Sequence, residues 1–257
     1  MRRFTIAPER ITRGHVAFDA DESRHLCRVL RLRPGDTVIA TDGAGHDYTV
    51  RLDTVGAQAT GSVLEVAARE AESPLAVTLV QVVPKGDRME TIVRAATELG
   101  VARVLPALGA RTVVRLDAAA WRERTRRWQR VAREATKQCR RAVVPHVDEP
   151  RPLAEHLPLA AAADLALCVW EGDGPALERA LDAASSPRTA LLLIGPEGGL
   201  ADDEVAAARA HGWTTVSLGA RILRTETAGP AMLAVLQARF GDLGGPRRRG
   251  AISGPPT

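Results

Sequence analysis

Lysine is almost missing from this chain: only Lys85 and Lys137 stand among the 35 basic residues, and the rest are arginine. No run of apolar residues reaches the roughly 18 that a membrane helix needs, so no membrane role is expected. The first residues, MRRFTIAPERI, hold no apolar stretch of leader length, and a cytoplasmic location is expected. Cysteine is scarce. Cys27, Cys139 and Cys168 lie far apart, form no CxxC and are odd in number, which argues against a disulfide framework and for buried free thiols. There is no GxxxxGK[ST], so a P-loop nucleotide site is excluded. No GxGxxG follows a strand, so an ordinary dinucleotide fold is unsupported. Without HExxH or GxSxG, neither a zincin nor a serine-hydrolase elbow is supported, and no metal site is expected.

What is present suits a globular protein: 257 residues, 45% hydrophobic and 26% charged. The net charge is +4, and its placement says more than its size. Eleven basic residues face three acidic ones between Arg111 and Arg141, and residues 1–33 hold eight arginines against four acids. Residues 34–72 reverse this, with two arginines and seven acids. Such patches point to a polyanionic partner on particular faces, and arginine suits phosphate and base stacking better than lysine. Abundant alanine suggests that genome composition contributes to the arginine count.

Residues 1–72 read mostly as β structure. HVAFD, DTVIATD, HDYTVRL and GSVLEVA are short strand-like runs broken by Gly, Asp and Pro, with one helical piece at residues 23–32. A small barrel fits. From residue 73 the grammar changes. AVTLVQVV is a strand and residues 87–99 a helix that stops at Gly100; VARVLPAL is a strand and residues 118–141 a long helix. DLALCVWE, ALERALDAA, TALLLIG, DDEVAAARAHG, TTVSLG and TETAGPAMLAVLQARF continue the alternation to residue 243, which means an α/β domain with a parallel sheet. Residues 244–257 are too poor in apolar side chains to pack, and a disordered tail is expected.

The long helix has two faces. Trp121, Trp128, Val131, Ala132, Ala135 and Cys139 share one; Arg122, Arg126, Arg130, Arg133, Lys137 and Arg140 form a cationic ridge beside it. A solvated helix face and a nucleic-acid contact explain the ridge equally well. His25, alone on an apolar helix, reads as structural.

Two glycine-bearing loops follow strands. LLLI runs into Gly195-Pro196-Glu197-Gly198-Gly199, and VSL into Gly219 and then Ile222, Leu223, Arg224, Glu226 and Thr227. Ligands of parallel sheets sit at the carboxyl ends of strands. Glycines there permit close approach of a ligand to the backbone, Pro196 stiffens the turn, and Asp202 or Asp203 is placed to cap the next helix. Side by side, the loops would offer main-chain donors and acceptors plus an apolar wall, which suits an adenosine-like ligand. Periodicity and spacing stop there.

IGPEGGL followed by LGARILRTETA resembles the RsmE family of 16S rRNA uridine-N3 methyltransferases, within the SPOUT superfamily. RRF, HLCRVLRLRPGD, KGDRMETIVRAATELGV and RWQRVAREATKQCRR extend the resemblance over most of the chain. Lys137 departs from it, standing where an acid is expected before Gln138. The resemblance implies a PUA-like RNA-binding β-barrel (1–72) and a trefoil-knotted SPOUT methyltransferase domain (73–243), working as a homodimer on 16S rRNA in the small ribosomal subunit. It implies S-adenosylmethionine as cofactor, with main-chain contacts from Leu193, Gly195, Gly199, Leu218 and Leu223. Ile194, Pro196 and Ile222 would line the pocket, beside Glu197, Gly219, Thr227 and Ala228.

Arg224 and Glu226 would stand near the transferring methyl, Glu226 either as base or holding Arg224. Glu197 would fix its loop through main-chain N–H groups, and Thr227 would cap the last helix. Lys85, Arg88 and Glu90 are further site candidates on the same resemblance, Lys85 and Arg88 being counted with the RNA contacts. Arg2, Arg3, Arg10, Arg28 and Arg31 would carry rRNA phosphates from the barrel side, and Arg126 and Arg130 from the long helix. The rival expectations are a ribose 2′-O methyltransferase of the same superfamily, a ribosome-binding protein without catalysis, and a small-molecule α/β enzyme.

Overall fold

The computed structural model describes residues 2–68, 72–172 and 174–245. The expected tail lies, from residue 246 onward, outside the described residues. The chain divides into two compact units. One holds the first 72 residues and Thr136–Val144; the other holds Ser73–Ala135 and Pro145–Gly245.

The first unit is a half-barrel of six strands: β1 (Arg3–Thr5), β2 (Ile11–Thr12), β3 (His15–Ala17), β4 (Thr37–Thr41), β5 (His46–Thr54) and β6 (Thr60–Ala68), in the order β1-β4-β5-β6-β3-β2. All neighbours are antiparallel except β1 and β4. Alternation along the strands turns Phe4, Val16, Val38, Ala40, Val50 and Leu52 into one core with Phe18 and Leu26. The helical piece expected at residues 23–32 begins earlier, as α1 (Ala20–Arg24). The Asp19 carboxylate caps it by accepting from the Glu22 N–H at 2.8 Å. It continues as one wider π turn over His25–Val29. His25 sets its ring edge-on to Phe4, with centroids 5.8 Å apart, consistent with a structural role. Lys137 reaches the Glu22 carboxylate at 2.7 Å.

The second unit is a parallel sheet. Its strands are β7 (Ala76–Val82), β8 (Val101–Leu108), β9 (His146–Val147), β10 (Arg151–Pro152), β11 (Leu165–Val169), β12 (Thr189–Ile194) and β13 (Thr214–Val216). The order is β10-β8-β7-β12-β11-β13, with β9 also on β8. Helices α2 (Arg88–Glu98), α3 (Ala118–Cys139, as far as Ala135), α4 (Leu153–His156), α5 (Leu177–Asp182), α6 (Asp202–Ala210) and α7 (Thr225–Phe240) complete it. Strands covered on both faces need near-continuous apolar sequence, and AVTLVQV and TALLLI supply it. Val80, Val82, Leu191, Leu193 and Cys168 pack with Val205 and Ala208 of α6. Burial pushes the Cys168 thiol up to about 12, so it is an inert apolar group. Cys27 and Cys139 are only half-buried.

Helix α3 stops at Cys139, short of the expected end, and Arg140 follows with φ +63°. Trp121, Trp128, Ala132 and Ala135 are its buried face, as its spacing requires. No helix among the described residues is long and apolar enough to cross a membrane. The elements that pattern did not reveal (β1, β2, β9, β10 and α4) are two to four residues long, too short to display a period.

Candidate functional site

The two glycine loops are not on neighbouring strands. β11 lies between β12 and β13, and Val169 stands level with both Ile194 and Val216. Three strand ends therefore open together, and the segment after β11 adds Trp170 and Glu171 to the two loops. They enclose two adjoining cavities, of ≈ 390 and ≈ 370 Å³, each within the size of small-molecule sites. Glu171, Pro196, Gly199, Ile222, Leu223 and Thr225 line both. Arg88, Glu197, Arg224 and Glu226 make the first lobe ionic. Val169, Trp170, Ile194, Leu200, Leu218 and Ala228 give the second an apolar wall, with Gly195, Gly219, Ser217 and Arg221 beside them.

The loop after β12 is tied down on every side. The Thr225 hydroxyl donates to the Gly195 carbonyl at 2.6 Å. Gln81, fully buried in β7, donates from Nε2 to the Thr225 hydroxyl at 3.0 Å and to the Gly195 carbonyl at 3.4 Å. The Glu197 carboxylate accepts from the Lys85 main-chain N–H at 3.0 Å and from Arg88 Nη1 at 2.6 Å. Arg111 donates to the Gly198 carbonyl at 2.5 Å. Gly199 has φ +70°, and its N–H closes the turn on the Pro196 carbonyl at 3.0 Å. Past the loop, neither Asp202 nor Asp203 is the cap expected for α6. Ala201 holds that position, and the Glu204 carboxylate accepts from the Ala201 and Ala110 N–H groups. Both aspartates lie inside the first turn, where they suit the helix dipole.

The loop after β13 is loose. Ser217 and Gly219 hydrogen-bond to each other. Among the described residues, main-chain groups 220–223 form no hydrogen bond. Ile222 is 85% exposed although it lines both lobes, and the Arg224 side chain is equally open. Helix α7 starts at Thr225, which corrects the expected cap: Thr227 is exposed, lines neither lobe and sends its N–H to the Arg224 carbonyl. Glu226 is in the first turn as expected. Its Oε2 is buried without a hydrogen-bond partner, with Arg88 Nε at 3.7 Å; Arg224 Nη1 is 4.0 Å from Oε1.

The cleft thus gathers Ile194, Gly195, Pro196, Glu197, Gly199, Leu218, Gly219, Ile222, Leu223, Arg224, Glu226, Ala228 and Arg88. It does not gather Leu193, which is buried in the sheet core, nor Lys85 and Glu90. Lys85 contributes its main chain, and Glu90 pairs with Arg127 at 2.8 Å. Sequence reasoning missed Gln81, Glu171 and Thr225. The polar Gln81 inside an apolar strand was the one available signal. Of the cations assigned to RNA, Arg2, Arg10, Arg28 and Arg31 are exposed, whereas Arg3 is held by Asp47 at 2.7 Å. Arg126 and Arg130 are exposed and share Glu123 at 3.5 and 3.7 Å. Among the described residues no His, Cys, Asp and Glu side chains group as metal ligands.

An RNA methyltransferase domain model matches residues 71–237, and an RNA methyltransferase PUA domain model matches residues 18–56. Ribosomal RNA small subunit methyltransferase E of Synechocystis is 36% identical over 92% of this chain and 77% of its own length. The Bacillus subtilis protein of that name is 31% identical over 81% of this chain and 84% of its own. The crystal structure of the Neisseria gonorrhoeae enzyme of that name, bound to S-adenosyl methionine, matches with a TM-score of 0.83 at 33% identity, over 94% of this chain and 99% of that one. The chain belongs to the ribosomal RNA small subunit methyltransferase E family, with its RNA methyltransferase domain on the parallel sheet and its PUA domain in the half-barrel.

Proposed function

We propose that the two-lobed cleft binds S-adenosylmethionine and that the protein uses it to methylate N3 of a uridine in 16S rRNA, giving 3-methyluridine. One observation carries the reading: a pinned glycine loop and a loop whose residues 220–223 form no main-chain hydrogen bond among the described residues meet as an apolar-walled lobe opening into an ionic one. The residues present fit the group. The unpaired main chain of residues 220–223 offers donors and acceptors to a nucleoside edge, and Ile194, Leu218, Leu223 and Ala228 offer it an apolar wall. When bound, the sulfonium supplies an activated methyl with its own leaving group.

The protein's part is alignment and proton handling. Uracil N3 carries a proton that must leave before the nitrogen attacks. The buried Oε2 of Glu226 is an acceptor with no hydrogen-bond partner at the ionic lobe, and we assign it that proton. Arg88 stands between Glu197 and Glu226, and with Arg224 it would balance negative charge gathering on the ring. N3 lies on the Watson–Crick edge, so the target base must be unpaired or flipped out. Arg10, Arg28 and Arg31, exposed on the half-barrel unit, would hold phosphates, and binding would weaken steeply with salt. A trefoil-knotted path, a homodimer, the small ribosomal subunit as substrate and a cytoplasmic location belong to the same reading.

The test is to incubate small subunits from cells lacking this protein with the chain and methyl-labelled S-adenosylmethionine, digest the rRNA and identify the labelled nucleoside. Labelled 3-methyluridine is expected. A labelled ribose methyl would overturn the N3 assignment, and cofactor binding without labelled 16S rRNA would overturn the substrate.

A further inference from the structure

Glu171 is the carboxylate of the cleft that the reading above leaves without a task. It lies two residues past β11, the strand flanked by both loop-bearing strands. Its backbone is set by the Trp170 N–H, which donates to the Val216 carbonyl at 3.0 Å, and by the Arg209 guanidinium, 5.2 Å over the Trp170 ring. Its carboxylate rests on Gly199: a Cβ built there would stand 2.5 Å from Glu171 Oε1. It lines both lobes, at their junction.

The other charges of the ionic lobe answer one another, Arg88 between Glu197 and Glu226, with Arg224 beside Glu226. Among the described residues, Glu171 has no hydrogen bond or ion pair. An exposed carboxylate in water needs no partner. One covered by a ligand does, because its lost hydration must be replaced.

We infer that Glu171 receives the positive charge of the cofactor, holding a cationic group at the junction of the lobes. This rests on the cleft being the S-adenosylmethionine site. That cofactor offers two cationic sources, the sulfonium and the α-ammonium, while its adenosine part offers none.

The test measures binding of S-adenosylmethionine, S-adenosylhomocysteine and 5′-methylthioadenosine to the full chain and to Glu171→Gln, which keeps shape and removes charge. Glu171 is exposed, and an unchanged melting temperature is expected. S-adenosylmethionine affinity should fall about tenfold, with methylthioadenosine, which lacks both cations, unaffected. A parallel loss for S-adenosylhomocysteine identifies the ammonium; a loss confined to S-adenosylmethionine identifies the sulfonium. An equal loss for methylthioadenosine, or no loss for any of the three, overturns the assignment while leaving the cofactor reading intact. Failure of the unaltered chain to bind any of them overturns both.

Discussion

The two loops of the cleft start alike and end differently. Each leaves a parallel strand, bends at glycine and leads into a helix. The loop after β12 is gripped by Gln81, Lys85, Arg88, Arg111 and Thr225. The loop after β13 holds its own Ser217–Gly219 turn and the bridge of Ser217 to Ala176, and leaves Ile222 in solvent. A glycine bend in each loop therefore does not mean equal freedom. What decides is whether side chains from elsewhere satisfy the loop's polar groups. The first loop is a preformed floor. The second keeps its hydrogen-bonding capacity for a ligand, and ordering it draws on binding energy.

Four substitutions test this contrast, in descending order of effect. Glu226→Gln follows the loose loop and removes the proposed proton acceptor. Methyl transfer should fall about 10²–10⁴-fold with cofactor affinity nearly unchanged, in single-turnover assays with saturating cofactor. Gly195→Ala strikes the gripped loop, where a Cβ would lie 3.0 Å from the Leu200 nitrogen and 3.1 Å from the Gly199 carbonyl carbon. Backbone must move, so calorimetry should show affinity at least about tenfold weaker together with a lower melting temperature. Ile222→Ser tests the loose loop for the opposite pattern: weaker cofactor binding, by a factor of about five, with no change in melting temperature. If both loop variants lost stability equally, the contrast would be wrong.

The smallest effect separates both loops from the scaffold beneath them. Burial holds His156 below its usual value of 6.5, although a hydrogen bond to the Pro106 main chain opposes this. The unfolded chain therefore takes up the proton first, and stability present above about pH 6.5 declines as pH falls toward the folded value. His156→Phe should flatten the dependence of melting temperature on pH in that window, leaving the cofactor affinity of the native protein unchanged at neutral pH.

Much of this was readable beforehand, for local reasons. The strands and helices from residue 73 onward follow from runs such as TALLLI and from the spacing of Trp121, Trp128 and Ala135, because burial imprints a period on neighbouring residues. The glycines of both loops were legible because they follow strands, while Ile194, Leu218 and Leu223 were placed at the cleft by the family resemblance. The cap expected for α7 was not legible, because it turns on one hydrogen bond. Thr227 and Thr225 are equally good capping residues on paper, and only the position of the Gly195 carbonyl selects Thr225 as the anchor. Likewise Arg3 and Arg28 look alike in sequence, and only the fold shows Asp47 beside Arg3.

Local sequence sets the alternation of elements, the composition of the two loops and the family. Tertiary structure decided that β11 sits between the loop-bearing strands, bringing Glu171 into the cleft, and that Arg88 reaches Glu197 and Glu226 from far along the chain. The reason is physical. Periodicity records which face of an element meets the core, and neighbours in sequence suffice to set it. Strand order and ion-pair choice are settled by packing between segments distant in sequence, which leaves no period to read.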